Sequence, residues 1–486
     1  MNVQVFFLVN GGRKNLDQTR APIFDALKEH VARKWINFHV PGHKQGQMFD
    51  REALEWFHPL LSMDLTEVGQ LDDLHQPTGV IKEAQQLAAE AFRATTTYFL
   101  VGGTTAGNLA AILACCPSGG SVIVQRSSHQ SVFHGCMLAG AKPVYLKTGF
   151  DECGVEKPVS PREIERILKE DDSVKAVVLT SPSYYGRVQP VREIAQVCHR
   201  HRVPLIVDEA HGAHFGFHKA LPQSAMDLGA DIAVQSTHKM LPSMTMSSML
   251  HLQGQRVSPD EVRHWLRVIE SSSPSYPLMA SLDVTRRLMA TEGERLLDRL
   301  LTDLEYFRGN IQSLQSLSEL KADDPLKFTL TANGKITGFQ LADRLKQEGI
   351  HAELADPLSV LLVLGLGTTR EDLKILWKAL KKIDQSLAGI PASSAKVSFA
   401  FATDTQKVRL PLSELRRRSF RAVPLSEAAG KVAVEMVVPY PPGIPVVLPG
   451  ETWTREAQET IETILKGGGQ VRGVSQHFNP TVNVLT

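Results

Sequence analysis

A lysine stands where this sequence predicts the end of a buried strand. The run "ADIAVQ" (230–235) is almost entirely apolar, and "STHK" (236–239) follows it directly. Four polar side chains beside a buried strand are costly to remove from water unless they bind something. Because a lysine amine in such a place can form a Schiff base with an aldehyde, Lys239 is a candidate for covalent catalysis.

A carboxylate ends an earlier strand of the same type. The segment "VPLIVD" (203–208) is apolar up to Asp208, and buried acids are rare unless they pair with a cation or a hydrogen-bond donor. Asp208 precedes Lys239 by 31 residues (239 − 208), which is about one βαβ unit. This spacing predicts that the two side chains lie at adjacent or nearby strand ends around one cavity.

Two more strand ends carry polar residues. The strand "TYFLV" (97–101) is followed by "GGTTAGNLAAILACC" (102–116), in which glycines and hydroxyls precede a helix-forming run. The N-terminus of a helix binds anions, so this turn suits a phosphate, although it could also be a turn without a ligand. The next strand, "SVIVQ" (121–125), leads to His129, a residue type that is often purely structural when alone.

Together these four features match the needs of one cofactor, pyridoxal 5'-phosphate. That group requires a lysine for a Schiff base, a carboxylate for its ring nitrogen, a helix start for its phosphate and a flat side chain over its ring. Lys239, Asp208, the "GGTTAG" turn (102–107) and His129 supply one of each.

A metal site is an alternative interpretation of "HGAHFGFH" (211–218). His211, His214 and His218 could share one helical face. The acids and the spacing of a zincin motif are missing, and two glycines disfavour a regular helix. We therefore expect no metal.

In the part of the chain that must position these residues, predicted strands alternate with predicted helices. Near-continuous apolar strands separated by amphipathic helices predict a mostly parallel sheet covered on both faces, with ligands at the carboxyl ends of its strands. The predicted strands are 97–101, 121–125, 142–147, 174–180, 203–208 and 230–235, and helices are predicted at 160–170 and 190–202.

Further elements follow the predicted sheet. A long helical region (280–314) leads into a smaller α/β unit, and "LAGIPASSA" (387–395) is typical of a linker. We predict an N-terminal segment at 1–35, a cofactor-binding major domain at 36–300, a small α/β domain at 301–390 and a C-terminal domain at 391–486.

Composition and charge restrict the class of protein. The 486 residues are 43% hydrophobic and carry a formal net charge of +1, so no overall field attracts nucleic acid or an anionic membrane. The basic run "RRRSFR" (416–421) is typical of a solvated connector. No apolar run approaches the roughly 20 residues that span a bilayer.

The N-terminus and the cysteines indicate a reduced compartment. "VQVFFLV" (3–9) lacks a preceding basic region and a small-residue cleavage site, so it is a poor signal peptide. Five cysteines occur, all before residue 200 and without C-x-x-C spacing. We therefore expect a cytoplasmic protein, with Cys115 and Cys116 as core thiols.

Motifs along most of the chain resemble one family, the group III ornithine/lysine/arginine decarboxylases, in the short form without an N-terminal wing domain. The motifs are "FHVPGHKQG" (38–46), "LDDLHQPTGVI" (71–81), "GGTTAGN" (102–108), "VDEAHGAHF" (207–215), "QSTHKMLPSMTMSS" (235–248), "SSSPSYPLMASLD" (271–283) and "YPPGIPVVLPGE" (440–451). The resemblance implies an aspartate-aminotransferase-like α/β fold (fold type I) with a smaller α/β domain and a C-terminal α+β domain.

The resemblance also implies a role for each matching residue. Lys239 would carry the Schiff base, Asp208 would keep the ring nitrogen protonated, and His129 would stack on the ring near His211. The phosphate would contact Thr104, Thr105, Ala106, Ser236 and His238, and a neighbouring subunit would offer Ser273, Ser275 and Tyr276. Two departures from relatives are Ser181, where many have asparagine, and the pair Thr105–Ala106, which replaces a serine-bearing pair.

The implied activity is decarboxylation of arginine, lysine or ornithine to carbon dioxide and an amine of polyamine biosynthesis. The implied assembly is a homodimer or a larger homo-oligomer with its active site between subunits, and neither nucleic acid nor membrane is an expected partner. Other fold type I enzymes, such as an aminotransferase, and a catalytically silent regulatory relative remain alternatives. Glu451, Asp72 and Asp73 are candidates for the distal cation of the substrate, or they cap structural elements.

Overall fold

A computed structural model describes residues 16–146, 149, 151, 156–392, 412–415, 417–440, 443–475 and 479–486. The segment 3–9, part of the predicted linker (393–395) and Arg416 lie outside these ranges.

The helices are α1 (Pro22–Ala32), α2 (Arg51–Leu61), α3 (Val80–Ala91), α4 (Gly103–Cys115), α5 (Gln130–Leu138), α6 (Pro161–Glu170), α7 (Val191–Arg200), α8 (Thr237–Met240), α9 (Pro259–Ile269), α10 (Tyr276–Ile311), α11 (Gly338–Gln347), α12 (Arg370–Ser386), α13 (Leu412–Leu415) and α14 (Arg455–Lys466).

Within the described residues, the strands form one large sheet and three small ones. They are β1 (Thr96–Leu100), β2 (Gly120–Gln125), β3 (Ala141–Leu146), β4 (Val174–Thr180), β5 (Leu205–Asp208), β6 (Ile232–Gln235), β7 (Ser248–Leu252), β8 (Ser318–Leu320), β9 (Lys327–Thr331), β10 (Leu354–Ala355), β11 (Ser359–Val363), β12 (Phe420–Pro424), β13 (Val438–Tyr440), β14 (Gln470–Arg472) and β15 (Thr481–Leu485).

The large sheet has seven strands in the order β1-β7-β6-β5-β4-β2-β3. Strands β2 to β6 pair in parallel, and β7 runs antiparallel to both β6 and β1. Helices α4, α5 and α9 pack an apolar core on one face, and α6 and α7 do so on the other. The predicted mostly parallel, doubly covered α/β sheet is confirmed.

Strand β7 has no counterpart among the predicted strands. It contains a buried histidine, His251, whose ring bonds Thr97 Oγ1 at 2.8 Å and Gln235 Oε1 at 3.0 Å. Burying a polar ring is tolerated because both of its nitrogens are paired across the sheet. The hydrophobic pattern alone does not reveal that pairing.

The connection between β5 and β6 differs from a regular βαβ unit. Residues 209–231 form turns and bends and contain no helix. The two strands are nevertheless adjacent and parallel, with Asp208 opposite Val234. Asp208 and the "STHK" run therefore leave neighbouring strands at the same edge of the sheet.

Beyond the large sheet, α10 runs for 36 residues to a four-stranded antiparallel sheet, β10-β11-β9-β8, covered by α11 and α12. Thr337 and Thr369 begin those two helices with capping boxes.

The C-terminal region forms two two-stranded sheets and α14 around the buried Trp453. The exact domain boundaries stay a prediction. Among the described helices, none combines the length and the apolar character needed to cross a membrane.

Candidate active site

A cavity of about 400 Å³ lies at the carboxyl ends of the parallel strands. Among the predicted site residues, eight line it: Thr104, Thr105, His129, Asp208, His211, Ser236, His238 and Lys239. The structure thus brings the four independent sequence signals together. Ile444, from the C-terminal region, closes part of the wall.

Asp208 is held in one orientation at the base of the cavity. Its side chain is buried, Oδ2 accepts a hydrogen bond from Asn108 Nδ2 at 2.9 Å, and Oδ1 accepts one from the backbone N–H of Ala210 at 3.2 Å. The same Asn108 nitrogen lies 3.0 Å from Ser131 Oγ. Sequence reasoning missed Asn108, although it is a lone amide in the Ala-rich helix α4.

His129 begins helix α5 as its N-cap. Its Nδ1 accepts from the backbone N–H of Ser131 at 3.3 Å, which leaves the ring hydrogen on Nε2. Burial lowers the pKa of His129, against the opposing effect of Asp208, so the ring is neutral at pH 7. A neutral, flat ring fixed at the cavity wall suits stacking on an aromatic cofactor.

Lys239 faces the cavity from α8. Its Nζ lies 3.1 Å from His211 Nε2 and 5.8 Å from the centre of the Tyr184 ring. Loss of bulk water lowers the pKa of Lys239, while Asp208 and Glu353 oppose that shift. A lysine whose pKa is lowered offers more of its neutral, nucleophilic form at pH 7.

Hydroxyl groups gather at the start of α4. Thr104 Oγ1 hydrogen-bonds Ser236 Oγ and lies 3.3 Å from Ser248 Oγ. Gly103 has φ +75°, a conformation that glycine adopts without strain, and a Cβ on Gly102 would lie only 3.1 Å from Ala106 Cβ, so the turn favours glycine at both positions. Donors at the N-terminus of a 13-residue helix fit a phosphate group.

The residues that surround the cavity therefore fit pyridoxal phosphate. One space of suitable size is lined by a carboxylate, a neutral ring, an accessible amine and the hydroxyl groups at the start of a helix. His238 adds a proton-transfer group, because its Nδ1 donates to the carbonyl of Ser247 at 2.9 Å and Nε2 remains with a lone pair.

Glu156 in the cavity wall was not predicted from the sequence. It hydrogen-bonds Ser127 Oγ and Gln125 Nε2, the latter at 3.0 Å, and burial raises its pKa to about 7. Glu270 lies behind the glycine turn, where burial also raises its pKa to about 7. Neither acid follows a predicted strand, so strand-end reasoning could not find it.

Several other predicted residues lie outside the cavity lining. Ala106 is buried in α4, and Ser181 Oγ accepts from the backbone N–H of Gln189 at 3.0 Å. Ser273 is exposed, and Ser275 caps α10. Tyr276 is fully buried, and its hydroxyl hydrogen-bonds the carbonyl of Asp72 in the same chain. The role of the last three residues toward a neighbouring subunit stays a prediction.

Two of the candidate partners for a substrate cation are structural. Glu451 pairs with the buried Arg126 through contacts of 2.9 and 2.7 Å. Asp72 caps α3, where Oδ2 accepts from the backbone of Gly79 at 2.7 Å and of Ile81 at 3.1 Å. Their carboxylates are therefore occupied within the fold.

The three histidines of "HGAHFGFH" have different partners. His214 Nε2 lies 3.1 Å from Asp324 Oδ1, and His218 Nε2 lies 3.6 Å from Asp298 Oδ1, whereas His211 faces Lys239. Within the described ranges, no three His, Cys, Asp or Glu side chains form a group that could hold a metal ion.

Comparison with known proteins identifies the family of this chain. Residues 21–322 match the family model described as "Orn/Lys/Arg decarboxylase, major domain", and residues 399–468 match its C-terminal domain. The "Uncharacterized protein YaaO" of Bacillus subtilis is 41% identical over 93% of this chain and 96% of its own length. An "Arginine decarboxylase" of Bacillus anthracis is 34% identical over 97% of this chain and 98% of its own length.

Solved structures extend the likeness to the fold. The lysine decarboxylase LdcF of Francisella novicida superposes with a TM-score of 0.83 at 21% identity, covering 96% of this chain and 81% of its own. A serine palmitoyltransferase with bound PLP gives a TM-score of 0.54 over 73% of this chain and 86% of its own. The chain therefore belongs to the Orn/Lys/Arg decarboxylase family, the fold type I carboxy-lyases that depend on pyridoxal phosphate.

Proposed function

We propose that the protein decarboxylates a basic L-amino acid, with arginine as the first candidate and Lys239 as the residue that binds the cofactor. The observation that carries this proposal is the meeting of Lys239, Asp208 and His129 in one cavity. Arginine comes first because relatives named for arginine decarboxylation are 32–35% identical, whereas those named for lysine or ornithine are 23–25% identical.

Each cavity residue has a proposed task. Bound pyridoxal phosphate supplies the electron sink for loss of carbon dioxide. Asp208, oriented by Asn108, would keep the ring nitrogen protonated, and His129 would cover one ring face. The hydroxyls of Thr104, Thr105 and Ser236 would bind the phosphate.

The proton that replaces carbon dioxide needs a donor in the cavity. Lys239 and His238 both line this space, and the bond from His238 Nδ1 to the carbonyl of Ser247 leaves Nε2 as the available ring nitrogen. We propose that one of these two side chains, or a bound water, returns the proton. The product would be an amine, consistent with a role in polyamine biosynthesis in the cytoplasm, where the free thiols of the four described cysteines would remain reduced.

A homodimer or larger homo-oligomer is part of the proposal. Eight large apolar side chains are exposed within residues 35–57: Trp35, Ile36, Phe38, Val40, Met48, Phe49, Trp56 and Phe57. We call this the N-terminal apolar patch. Exposed apolar patches of this kind mark protein interfaces, and a second copy of the chain is the proposed occupant.

The test uses purified protein with pyridoxal phosphate and each of L-arginine, L-lysine and L-ornithine. Release of carbon dioxide together with the matching amine from one substrate is the expected result. Formation of pyridoxamine phosphate without carbon dioxide would instead identify an aminotransferase. Binding of the cofactor without turnover of any of the three would contradict the proposed activity.

A further inference from the structure

A glutamate that has no task in the chemistry described above lines the cavity. Among the described residues that surround this space, two carry a carboxyl group, Asp208 and Glu156. Asp208 accepts hydrogen bonds from Asn108 Nδ2 and from the backbone N–H of Ala210, and its proposed partner is the ring nitrogen of the cofactor. Glu156 is therefore the carboxyl group of this lining that still lacks a partner of its own.

The ends of two strands set the orientation of Glu156. Gln125 ends β2, and its Oε1 accepts from the backbone N–H of Thr180, at the end of β4, at 3.0 Å. Gln125 Nε2 donates to Glu156 Oε1 at 3.0 Å, and Ser127 Oγ donates to the same oxygen. The carboxyl group is thus anchored to the large sheet. A side chain held in this way can bind a ligand at a small further cost in conformational entropy.

The hydrogen bonds to Glu156 leave one of its oxygens open. Both donors are neutral groups and both bond Oε1, so Oε2 receives no hydrogen bond from a described residue and keeps its acceptor sites. Burial raises the pKa of Glu156, and no cationic side chain of the described residues opposes that shift. Because buried acids are rare unless they pair with a cation, a cation is the partner that this carboxyl group lacks.

A basic amino acid would bring such a cation into the cavity. Its α-amine is directed to the cofactor, and its side chain ends in a guanidinium or an ammonium group. Either group presents several N–H donors and no acceptor, which matches the open acceptor sites of Glu156 Oε2. Asp208 is less suited to this contact, because Asn108 and Ala210 already bond both of its oxygens.

We propose that Glu156 is a specificity-determining residue that binds the cationic end of the substrate side chain. The contact orients that side chain and favours basic amino acids over neutral ones of equal length, since a neutral end would leave the buried carboxyl group without its counter-ion. This inference deepens the proposed function and rests on it, because it requires a basic amino acid in the cavity.

The experiment compares a cationic ligand with its neutral isostere. Agmatine is the amine that arginine gives on loss of carbon dioxide, and N-carbamoylputrescine carries an uncharged urea in place of the guanidinium on the same chain. Neither ligand has a carboxylate to lose, and both offer the same primary amine to the cofactor. Isothermal titration calorimetry on the protein loaded with pyridoxal phosphate gives the Kd of each ligand.

Glu156→Gln keeps the length of the side chain and removes its charge. The Kd of agmatine should rise by roughly 10- to 100-fold, the effect of losing a hydrogen bond between charged groups, whereas the Kd of N-carbamoylputrescine should change less than about threefold. Glu156→Asp, which keeps the charge, should retain a preference for agmatine over the neutral ligand. Equal changes in the two Kd values, or an unchanged Kd for agmatine in Glu156→Gln, would overturn the proposal.

Glu209→Gln is the matched control. Glu209 is also a buried glutamate that accepts from a glutamine amide, with 2.8 Å between Gln235 Nε2 and its Oε2. Its Oε1 accepts from the backbone N–H of Ala225 at 2.7 Å, so its carboxyl group is bonded within the fold through both oxygens. This variant should leave the ratio of the two Kd values unchanged, and an altered ratio would show that the ratio does not report on Glu156 alone.

Two further ligand pairs cover the other basic amino acids. Cadaverine with hexylamine, and putrescine with pentylamine, each compare an ammonium group with a methyl group on the same chain. If no cation of the three pairs binds the wild-type protein more tightly than its neutral counterpart, the proposal is wrong. If Glu156→Gln does not fold, as judged by circular dichroism, Glu156→Met replaces it, and the same comparison of Kd values decides.

The binding measurements separate this inference from the proposed decarboxylation, because none of these ligands is turned over. Release of carbon dioxide from a basic amino acid, together with equal Kd changes in Glu156→Gln, would leave the proposed function in place and reject the role of Glu156. A selective loss of agmatine binding without any release of carbon dioxide would reject the proposed activity and keep Glu156 as the residue that binds the cation.

Discussion

The side-chain amide of Asn108 holds the carboxylate of Asp208, with 2.9 Å between Nδ2 and Oδ2. The bond crosses from the first helix after the glycine turn to the end of a central strand, so it ties helix α4 to the strand end that carries Asp208. A hydrogen bond to a buried charged group contributes roughly 1.5–3 kcal/mol.

Asn108→Ala should therefore weaken catalysis more than folding. We expect kcat to fall by about 10- to 100-fold, since the carboxylate loses a donor and its fixed orientation. Steady-state kinetics with the identified substrate measure the change. Asn310→Ala, at a half-buried asparagine of α10 whose amide donates to the carbonyl of Tyr306, is the control and should keep wild-type kcat. Equal kcat in both variants would contradict the importance of the Asn108–Asp208 bond.

Lys239→Ala tests the assignment of the cofactor-binding amine. The variant should lose the visible absorbance of the bound cofactor, and carbon dioxide release should fall by more than about a thousandfold. Spectra and a carbon dioxide assay on the same preparation measure both quantities. Normal carbon dioxide release from this variant would show that another group carries the chemistry.

Glu451→Gln tests whether this acid is structural or contacts substrate. Its partner Arg126 is 3% exposed, and breaking a buried ion pair costs roughly 3–5 kcal/mol of unfolding free energy. Urea denaturation of the variant should show this loss, whereas Glu459→Gln, at an exposed position of α14, should not. A raised KM with unchanged stability would instead assign Glu451 to the substrate.

Glu209→Gln tests whether protonation of a buried acid makes the unfolding free energy depend on pH. Burial raises the pKa of Glu209 from 4.5 to about 8, although Gln235 and the backbone of Ala225 bond its oxygens. The folded state thus keeps a proton that the unfolded state loses above pH 4.5. Stability should fall as pH rises from about 4.5 to 8, with a slope of up to about 1.4 kcal/mol per pH unit.

The glutamine variant has no proton to lose at that site, so its stability should depend less steeply on pH. Chemical denaturation of both proteins at half-unit pH steps gives the difference curve. If the difference in unfolding free energy between the two proteins stays constant from pH 4.5 to 8, Glu209 titrates normally in the folded protein.

Trp56→Glu tests the N-terminal apolar patch. Trp56 is 84% exposed on α2, and a charge there should oppose burial against a second copy and shift the assembly toward monomer. Sedimentation velocity measures the change in mass. Tyr306→Glu, at a 74% exposed aromatic of α10 outside the patch, should leave the mass unchanged. A dimer that persists in Trp56→Glu would place the interface elsewhere.

The sequence by itself determined the α/β class and the strand ends that carry polar groups. Both follow from local pattern, because strands buried on two faces must be continuously apolar and cannot keep a polar residue without a partner. Asp208 and Lys239 stand out on that basis alone. The sequence could not specify that the connection between them lacks a helix, nor that β7 carries a buried histidine.

Only the tertiary structure decided which side chains support those at the strand ends. Asn108 reaches Asp208 across 100 residues of chain, and Lys327 reaches His211 across 116. Tertiary packing also bound Glu451 to Arg126 instead of leaving it free for a substrate. Such partners depend on how helices and sheets pack against one another, and no local periodicity records a distance between residues that far apart in sequence.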